Sequence, residues 1–349
     1  MKYPIKYISI LILTIILASC NKTENKQDKI ILNRLQYIYD LKSLIDEDTW
    51  PGFTNKRFDL PLVYYSISNC YITNPTDRFI QEINPKLIFK NKSLKIYKTG
   101  LLDSIPFHMA TEMSLGDSTS EYNYKSPFIN CSSLEITQKI IPDVPSTEMW
   151  ATMVIHEYFH GFQFKHESFL DLFENTAFGM PADSLKILYK NNEWFKNDVD
   201  KENNHLLNAI KSDSETEILK SIESFFEIRD RRRTKTKQNL KIDIKPTEEI
   251  FETMEGTARY VEYSLYSKFK DLENNVNLEK SDSLFHSYVY FKNYDIQNDQ
   301  WLFLSNKTSY YYAIGFNMTR LLNKLNVDFK LRLFNEKEMT LEKILREQI

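Results

Sequence analysis

The sequence predicts an α+β fold in which a small N-terminal sheet packs against a predominantly helical C-terminal half. Short β-rich stretches, separated by Pro, Asn, Asp and Ser, fill residues 60–145. From Ser146 onward the apolar spacing changes to a helical period. Strands first and helices after group as α+β, because each layer must bury one apolar face against the other. A chain of 349 residues is long enough for a substantial core. With 42% hydrophobic and 27% charged residues its composition is that of a folded globular protein.

The elements follow in order. Residues 30–45 carry apolar side chains at helical spacing (Ile31, Leu35, Ile38, Leu41, Leu44, Ile45) and predict a first helix. Trp50-Pro51-Gly52-Phe53 reads as a turn. Strands are expected at Leu62–Ser66, Leu87–Phe89, Leu94–Tyr97 and Leu134–Ile140. Ser146-Thr147-Glu148 offers a helix start, and Met149 to Phe164 continues it. Further helices are expected at roughly 182–195, 215–232, 247–270 and 310–325.

Ahead of this unit, Lys2 and Lys6 precede the apolar run Ile8–Leu17, which is too short for a permanent membrane span and reads as a secretory leader. Leu17-Ala18-Ser19-Cys20 resembles the lipobox of bacterial lipoproteins. That resemblance implies cleavage before Cys20, lipidation of its thiol and anchorage to a bacterial membrane, at the outer membrane or cell surface. The expected organisation is a leader at 1–19, a polar tether at 20–29 and one folded unit at 30–349. Its β-rich part is 30–145 and its helical part 146–349. Export would permit a disulfide between Cys70 and Cys131; two buried free thiols are the other reading. The formal net charge of −3 gives no bias toward nucleic acid. The run Arg231-Arg232-Arg233, near Arg229, Lys235 and Lys237, is expected as a solvated helix end, with a contact to a substrate carboxylate or partner as the alternative.

One segment carries chemistry. In His156-Glu157-Tyr158-Phe159-His160 the two histidines lie one helical turn apart on one face, where both imidazoles can hold one zinc ion. Glu157 beside them can reach a water on such an ion without ligating it. A second predicted helix carries Glu255-Gly256-Thr257-Ala258-Arg259-Tyr260-Val261-Glu262. A third begins at Tyr312-Ala313-Ile314-Gly315. Gly256 inside a helix of so glycine-poor a chain (seven in all) suggests close packing with another helix.

Together these segments resemble the gluzincin metallopeptidases, a peptidase MA-like group distantly similar to the aminopeptidase N family. The order of His156, His160, Glu255 and Tyr312 is that of the family. The resemblance implies a zincin, thermolysin-like domain over 30–349 and zinc on His156, His160 and Glu255. It also implies that Glu157 is the general base and that Tyr312 donates to the oxyanion. Glu262, two turns after Glu255 on the same face, is expected either to orient a ligand histidine or to be solvent-exposed or salt-bridged. Two features depart from the pattern. His160 and Glu255 are 95 positions apart, far more than in aminopeptidase N, and no Gly-x-Met-x-Asn segment is present. The resemblance therefore implies peptide hydrolysis but not aminopeptidase specificity. A non-catalytic surface lipoprotein that binds peptide or glycan on the same scaffold, and a zinc hydrolase of non-peptide amides, are the competing readings. Segment 168–246 is the candidate roof for the cleft. Gln163, one turn after His160, is expected in a structural role, with lining of the site as the alternative. Histidines 108, 166, 205 and 286 are expected in structural or surface roles.

Overall fold

The computed structural model describes residues 26–114, 123–177, 179–273, 275–286, 291 and 308–349. The predicted leader, the lipobox and Cys20 lie outside them. Helix α1 (26–42) opens the described chain, so the last four positions expected in the tether are helical. Six strands then form one sheet: β1 (Leu62–Tyr65), β2 (Asn69–Thr73), β3 (Lys86–Lys90), β4 (Lys95–Gly100), β5 (Met109–Ser114) and β6 (Asn123–Ser132). The short helix α2 (Asp77–Ile83) lies between β2 and β3. The order across the sheet is β3-β4-β2-β1-β6-β5, and only the β1–β6 pair is parallel. The fold is α+β, as expected.

β1 is central and buried along its whole length, so its residues alternate between two apolar clusters rather than between core and solvent. Tyr64 faces the main core with Cys131, its register partner on β6. Tyr65 faces the smaller cluster with Cys70, its register partner on β2. The two cysteines therefore project from opposite sides of the sheet, and both are free and buried.

The segment Leu134–Ile140, expected as a strand, is helix α3. Ser133 caps it by accepting from the Ile136 N–H, and Leu134 and Thr137 are buried at a spacing of three, which a strand would place on opposite faces. The remaining helices are α4 (Thr147–Phe164), α5 (Glu167–Ala177), α6 (Ala182–Asn191), α7 (Glu193–Lys211), α8 (Glu215–Leu240), α9 (Lys245–Lys268), α10 (Val276–Ser281), α11 (Tyr311–Lys324), α12 (Lys330–Asn335) and α13 (Leu341–Arg346). The expected helix at 182–195 breaks at Asn192, whose backbone is extended, and α7 continues beyond it.

Ser146 caps α4 as the sequence suggests. α4 lies against β5 and β6, with the Trp150 indole N–H donating to the Ser132 carbonyl at 3.0 Å. α9 packs on α4, and α11 crosses α9 at two glycines. A Cβ on Gly256 would sit 2.1 Å from the Gly315 carbonyl carbon, and one on Gly315 would sit 1.9 Å from the Glu252 carbonyl oxygen. Neither neighbour is a side chain that can swing away.

The arginine run is not a solvated helix end. Arg229 and Arg232 are fully buried, and Arg233 nearly so. Glu202 of α7, Glu248 and Glu252 of α9, and Glu342 of α13 receive them. Arg232 Nε lies 2.5 Å from Glu202 Oε1, Arg233 Nε 2.8 Å from Glu248 Oε2, and Arg229 Nε 2.7 Å from Glu342 Oε2. Only Arg231 of the run points outward. Four carboxylates face three guanidiniums, and burial holds the Glu252 carboxyl well above its usual range, against the pull of Arg229.

The added methyl of Gly315→Ala has to separate two helix backbones. The variant is expected to lose about 3 kcal/mol or more of stability, read as a fall in denaturant midpoint. A midpoint unchanged from wild type would mean that the crossing is looser than described.

Candidate metal centre

Three helical side chains converge on one point. His156 and His160 leave the same face of α4, and Glu255 leaves α9 opposite them. The Nε2 atoms of both histidines lie 3.2 Å from the same carboxylate oxygen, Glu255 Oε2. Among the described residues this is the one group of three His, Cys, Asp or Glu whose donor atoms all fall within 4.8 Å of one another. All three residues are buried.

The other nitrogen of each imidazole fixes its tautomer. His156 Nδ1 is 3.1 Å from Glu262 Oε2, and His160 Nδ1 is 2.9 Å from Gln163 Oε1. Gln163 is itself oriented, because its amide N–H groups donate to the Met254 carbonyl (2.9 Å) and the Thr257 hydroxyl (2.8 Å). Its oxygen must therefore face His160. With Nδ1–H donating on both rings, both Nε2 lone pairs aim at a carboxylate oxygen. Acceptors facing an acceptor require a cation or an added proton between them. The donor set, two neutral imidazoles and one carboxylate, with outer hydrogen bonds on both rings, fits a zinc-type divalent ion.

The electrostatics of the protein alone express the same need. Burial works against a charged His156, but Glu262 and Glu255 outweigh it and lift its pKa to about 10. Burial also opposes the Glu255 carboxylate, yet His160 and His156 hold it well below the usual range. Glu157, beside His156, is half-buried; desolvation raises its pKa, with His160 and His156 opposing. The Thr111 hydroxyl, from β5, lies 2.6 Å from the Glu157 carbonyl and 3.3 Å from its Oε2.

Of the three adjacent tyrosines, Tyr312 belongs to the site. Its ring lies parallel to His156, 6.1 Å between centroids, and Arg259 stacks over it at 4.6 Å. Tyr310 instead donates to Glu248 in the arginine network at 2.5 Å. A cavity of about 470 Å³ opens beside His156, Glu157 and Tyr312. No residue of 168–246 lines it, so the expected roof is absent among the described lining residues. α7 and α8 of that segment engage α9 through the arginine network instead.

The sequence-predicted residues His156, Glu157, His160, Glu255, Glu262 and Tyr312 are all brought together. Gln163, one turn after His160, lines the site, the less favoured of the two roles its spacing offers. Thr111 and Arg259 are additions to the predicted set; Arg259 lies one helical turn from Glu255, a spacing that could have found it. Thr111 reaches the site only through sheet pairing and carries no local signal. His108 pairs with Asp103 at 3.0 Å and stacks on Tyr65, and His166 donates to the Phe162 carbonyl; both are structural. No family model, curated protein or solved structure matches this chain.

The raised pKa of His156 sets a sign. Without metal its proton is held at pH 7; the stabilisation it gives is complete below about 6.5 and fades as pH rises through about 10. An ion must displace that proton. Zinc uptake at pH 7 should release about one proton, measured by calorimetry in buffers of different ionisation enthalpy, and affinity should rise with pH. Glu255→Ala should lose most bound zinc by mass spectrometry, and Gln163→Leu should bind it on the order of 10–100-fold more weakly. Full zinc in Glu255→Ala would remove that residue from the donor set.

Proposed function

We propose that the protein is a zinc-dependent peptidase of the gluzincin kind, exported and held at a bacterial membrane through Cys20. The observation that carries the reading is the shared focus of His156 Nε2, His160 Nε2 and Glu255 Oε2, with each Nδ1 held by an acceptor. The sequence resemblance independently names the same residues in the same order. No helix among the described residues is long and apolar enough to cross a membrane.

Zinc would supply Lewis acidity, lowering the pKa of water toward about 7 and polarising a carbonyl. The chain supplies the rest. Glu157 takes a proton from the attacking water and returns it to the leaving amine; its burial, which raises its pKa, suits it to hold that proton in between. Thr111 donates to the Glu157 backbone carbonyl at 2.6 Å and lies 3.3 Å from its carboxylate on the sheet side. Tyr312, at the start of α11 beside His156, donates to the oxygen on which charge develops. Burial and the nearby Glu255 raise its pKa, so the hydroxyl keeps the proton it must donate.

Glu157→Gln should retain zinc and lose chelator-sensitive cleavage of a mixed peptide library by on the order of 10²–10⁴-fold. Tyr312→Phe should lower kcat on the order of 10²-fold with little change in KM. A Glu157→Gln protein with undiminished activity would sink the mechanism. Zinc binding without any turnover of peptides would favour a binding role for the same scaffold.

A further inference from the structure

Helix α1 enters the fold at one end of the sheet. Asp28, in its first turn, accepts from the Tyr71 hydroxyl at 2.5 Å and from Lys98 Nζ at 3.0 Å. Tyr71 and Lys98 are register partners on β2 and β4, two residues from the last pair, Asn69 with Gly100. Farther along α1, Tyr39 reaches Thr73 at the other end of β2. The N-terminus of α1 therefore lies toward the Asn69–Gly100 end.

That end carries exposed apolar side chains. Ile67 and Ser68 form the tip of the β1–β2 hairpin, closed by the Ser66 N–H donating to the Asn69 carbonyl at 2.9 Å. Ile67 is 69% exposed, the most of any large apolar side chain among the described residues. Leu101 follows Gly100 directly and is 48% exposed. Ile105 is 52% exposed. Its N–H donates to Asp103 Oδ1, and Asp103 Oδ2 accepts from the hydroxyl of Tyr65, the last residue of β1. Single exposed apolar residues are ordinary, but three on adjoining turns of one sheet end form a patch.

Lysines rim the patch. Lys26 and Lys29 are exposed in the first turn of α1. Lys86, the register partner of Lys98 on β3, is exposed on the same face of the sheet. The nearby carboxylates are held by protein groups: Asp28 by Lys98, Asp103 by Tyr65 and His108, Glu135 by Arg34, and Glu82 by Arg78. Asp143 lines the adjoining cavity. The opposite hairpin tip, between Lys90 and Lys95, is basic too but has no exposed large apolar side chain. An apolar tip with a basic rim matches the boundary of an anionic bilayer, where apolar groups enter the acyl edge and ammonium groups meet headgroup phosphates.

The proposed anchor limits which face can meet the bilayer. Cys20 and Lys26 are six residues apart, a reach of at most about 21 Å. A folded chain of this length has a radius of gyration of about 20 Å and is about 50 Å across. An acylated Cys20 would therefore keep the start of α1, and the sheet end beside it, close to the bilayer.

We infer that this sheet end, with Ile67, Leu101 and Ile105 at its tip and Lys26, Lys29 and Lys86 at its rim, docks on an anionic membrane surface. The inference rests on the anchoring reading above and adds the orientation of the folded unit. Phe107, two residues after Ile105, lines the cavity beside His156 and Glu157, so the docking surface leads into the wall of that cavity.

The test uses the acylated full chain on vesicles of phosphatidylcholine and phosphatidylglycerol that contain a spin-labelled lipid. A fluorophore is placed through Ile67→Cys or Leu101→Cys, and through Ile187→Cys (α6) or Leu331→Cys (α12) as distant references. All four side chains are exposed, so none of these changes removes a core contact. Cys70 and Cys131 are buried and stay unlabelled. Quenching at positions 67 and 101 should exceed that at 187 and 331 by at least about threefold, and Lys26→Glu with Lys29→Glu and Lys86→Glu should lower it at least about twofold. Equal quenching at all four positions would overturn the inference, as would quenching at 67 that is no greater with phosphatidylglycerol than with phosphatidylcholine alone. With Cys20 acylated by mass spectrometry, either result removes the orientation and leaves the anchor. A Cys20 without acyl chains would remove the anchoring reading and the inference with it.

Discussion

The contact on which the site depends is the backbone crossing of α9 and α11 at Gly256 and Gly315. Glu255 is the residue before one glycine, and Tyr312 is one turn before the other. The depth at which the helices meet therefore sets how far Glu255 reaches toward α4 and where the Tyr312 ring lies against His156. Any side chain larger than hydrogen at either position would push the two helices apart. The carboxylate and the tyrosine would then move together, because they ride on the helices that the contact joins.

Toward the N-terminal end of α9 stands the arginine network. It joins α7, α8, α9 and α13 through side chains with essentially no exposure. Buried ion pairs recover their desolvation cost only when geometry and hydrogen bonding are satisfied, so the network is better understood as a device for register than as a source of net stability. Glu248 and Glu252 lie on the same helix as Glu255, and their partners fix the rotation of α9. That rotation aims Glu255, Arg259, Glu262 and Tyr266 toward α4 and the cavity. The long segment between His160 and Glu255 thus has a structural use. It supplies α8, whose guanidiniums hold α9 through Glu248 and Glu252, one to two turns before Glu255.

Much of this was legible in the sequence, and the limits were physical. The His156–His160 spacing, the Ser146 cap and the long apolar periods of α4, α9 and α11 are local signals, and local signals survive without tertiary context. Gly256 was readable because a glycine inside a helix needs a reason. Leu134–Ile140 misled because seven residues rich in Ile and Thr carry strand propensity, and the Ser133 cap outweighed it. The arginines misled for the opposite reason. A cluster of charge is solvated unless acidic partners arrive from elsewhere, and here Glu342 lies 113 positions from Arg229. No window along the chain contains that information. Thr111 was hidden likewise, since only the placement of β5 beside α4 brings it to Glu157.

The placement of the two sheet cysteines has its own consequence. Burial pushes the Cys70 thiol up to about 12 and Cys131 well above its ordinary value, so neither carries appreciable thiolate near neutrality. The sheet stands between them as an insulator. Oxidants can neither join the pair nor readily attack either one while the fold persists. The protection belongs to the folded state: it lasts only while the sheet keeps both thiols buried and on opposite faces.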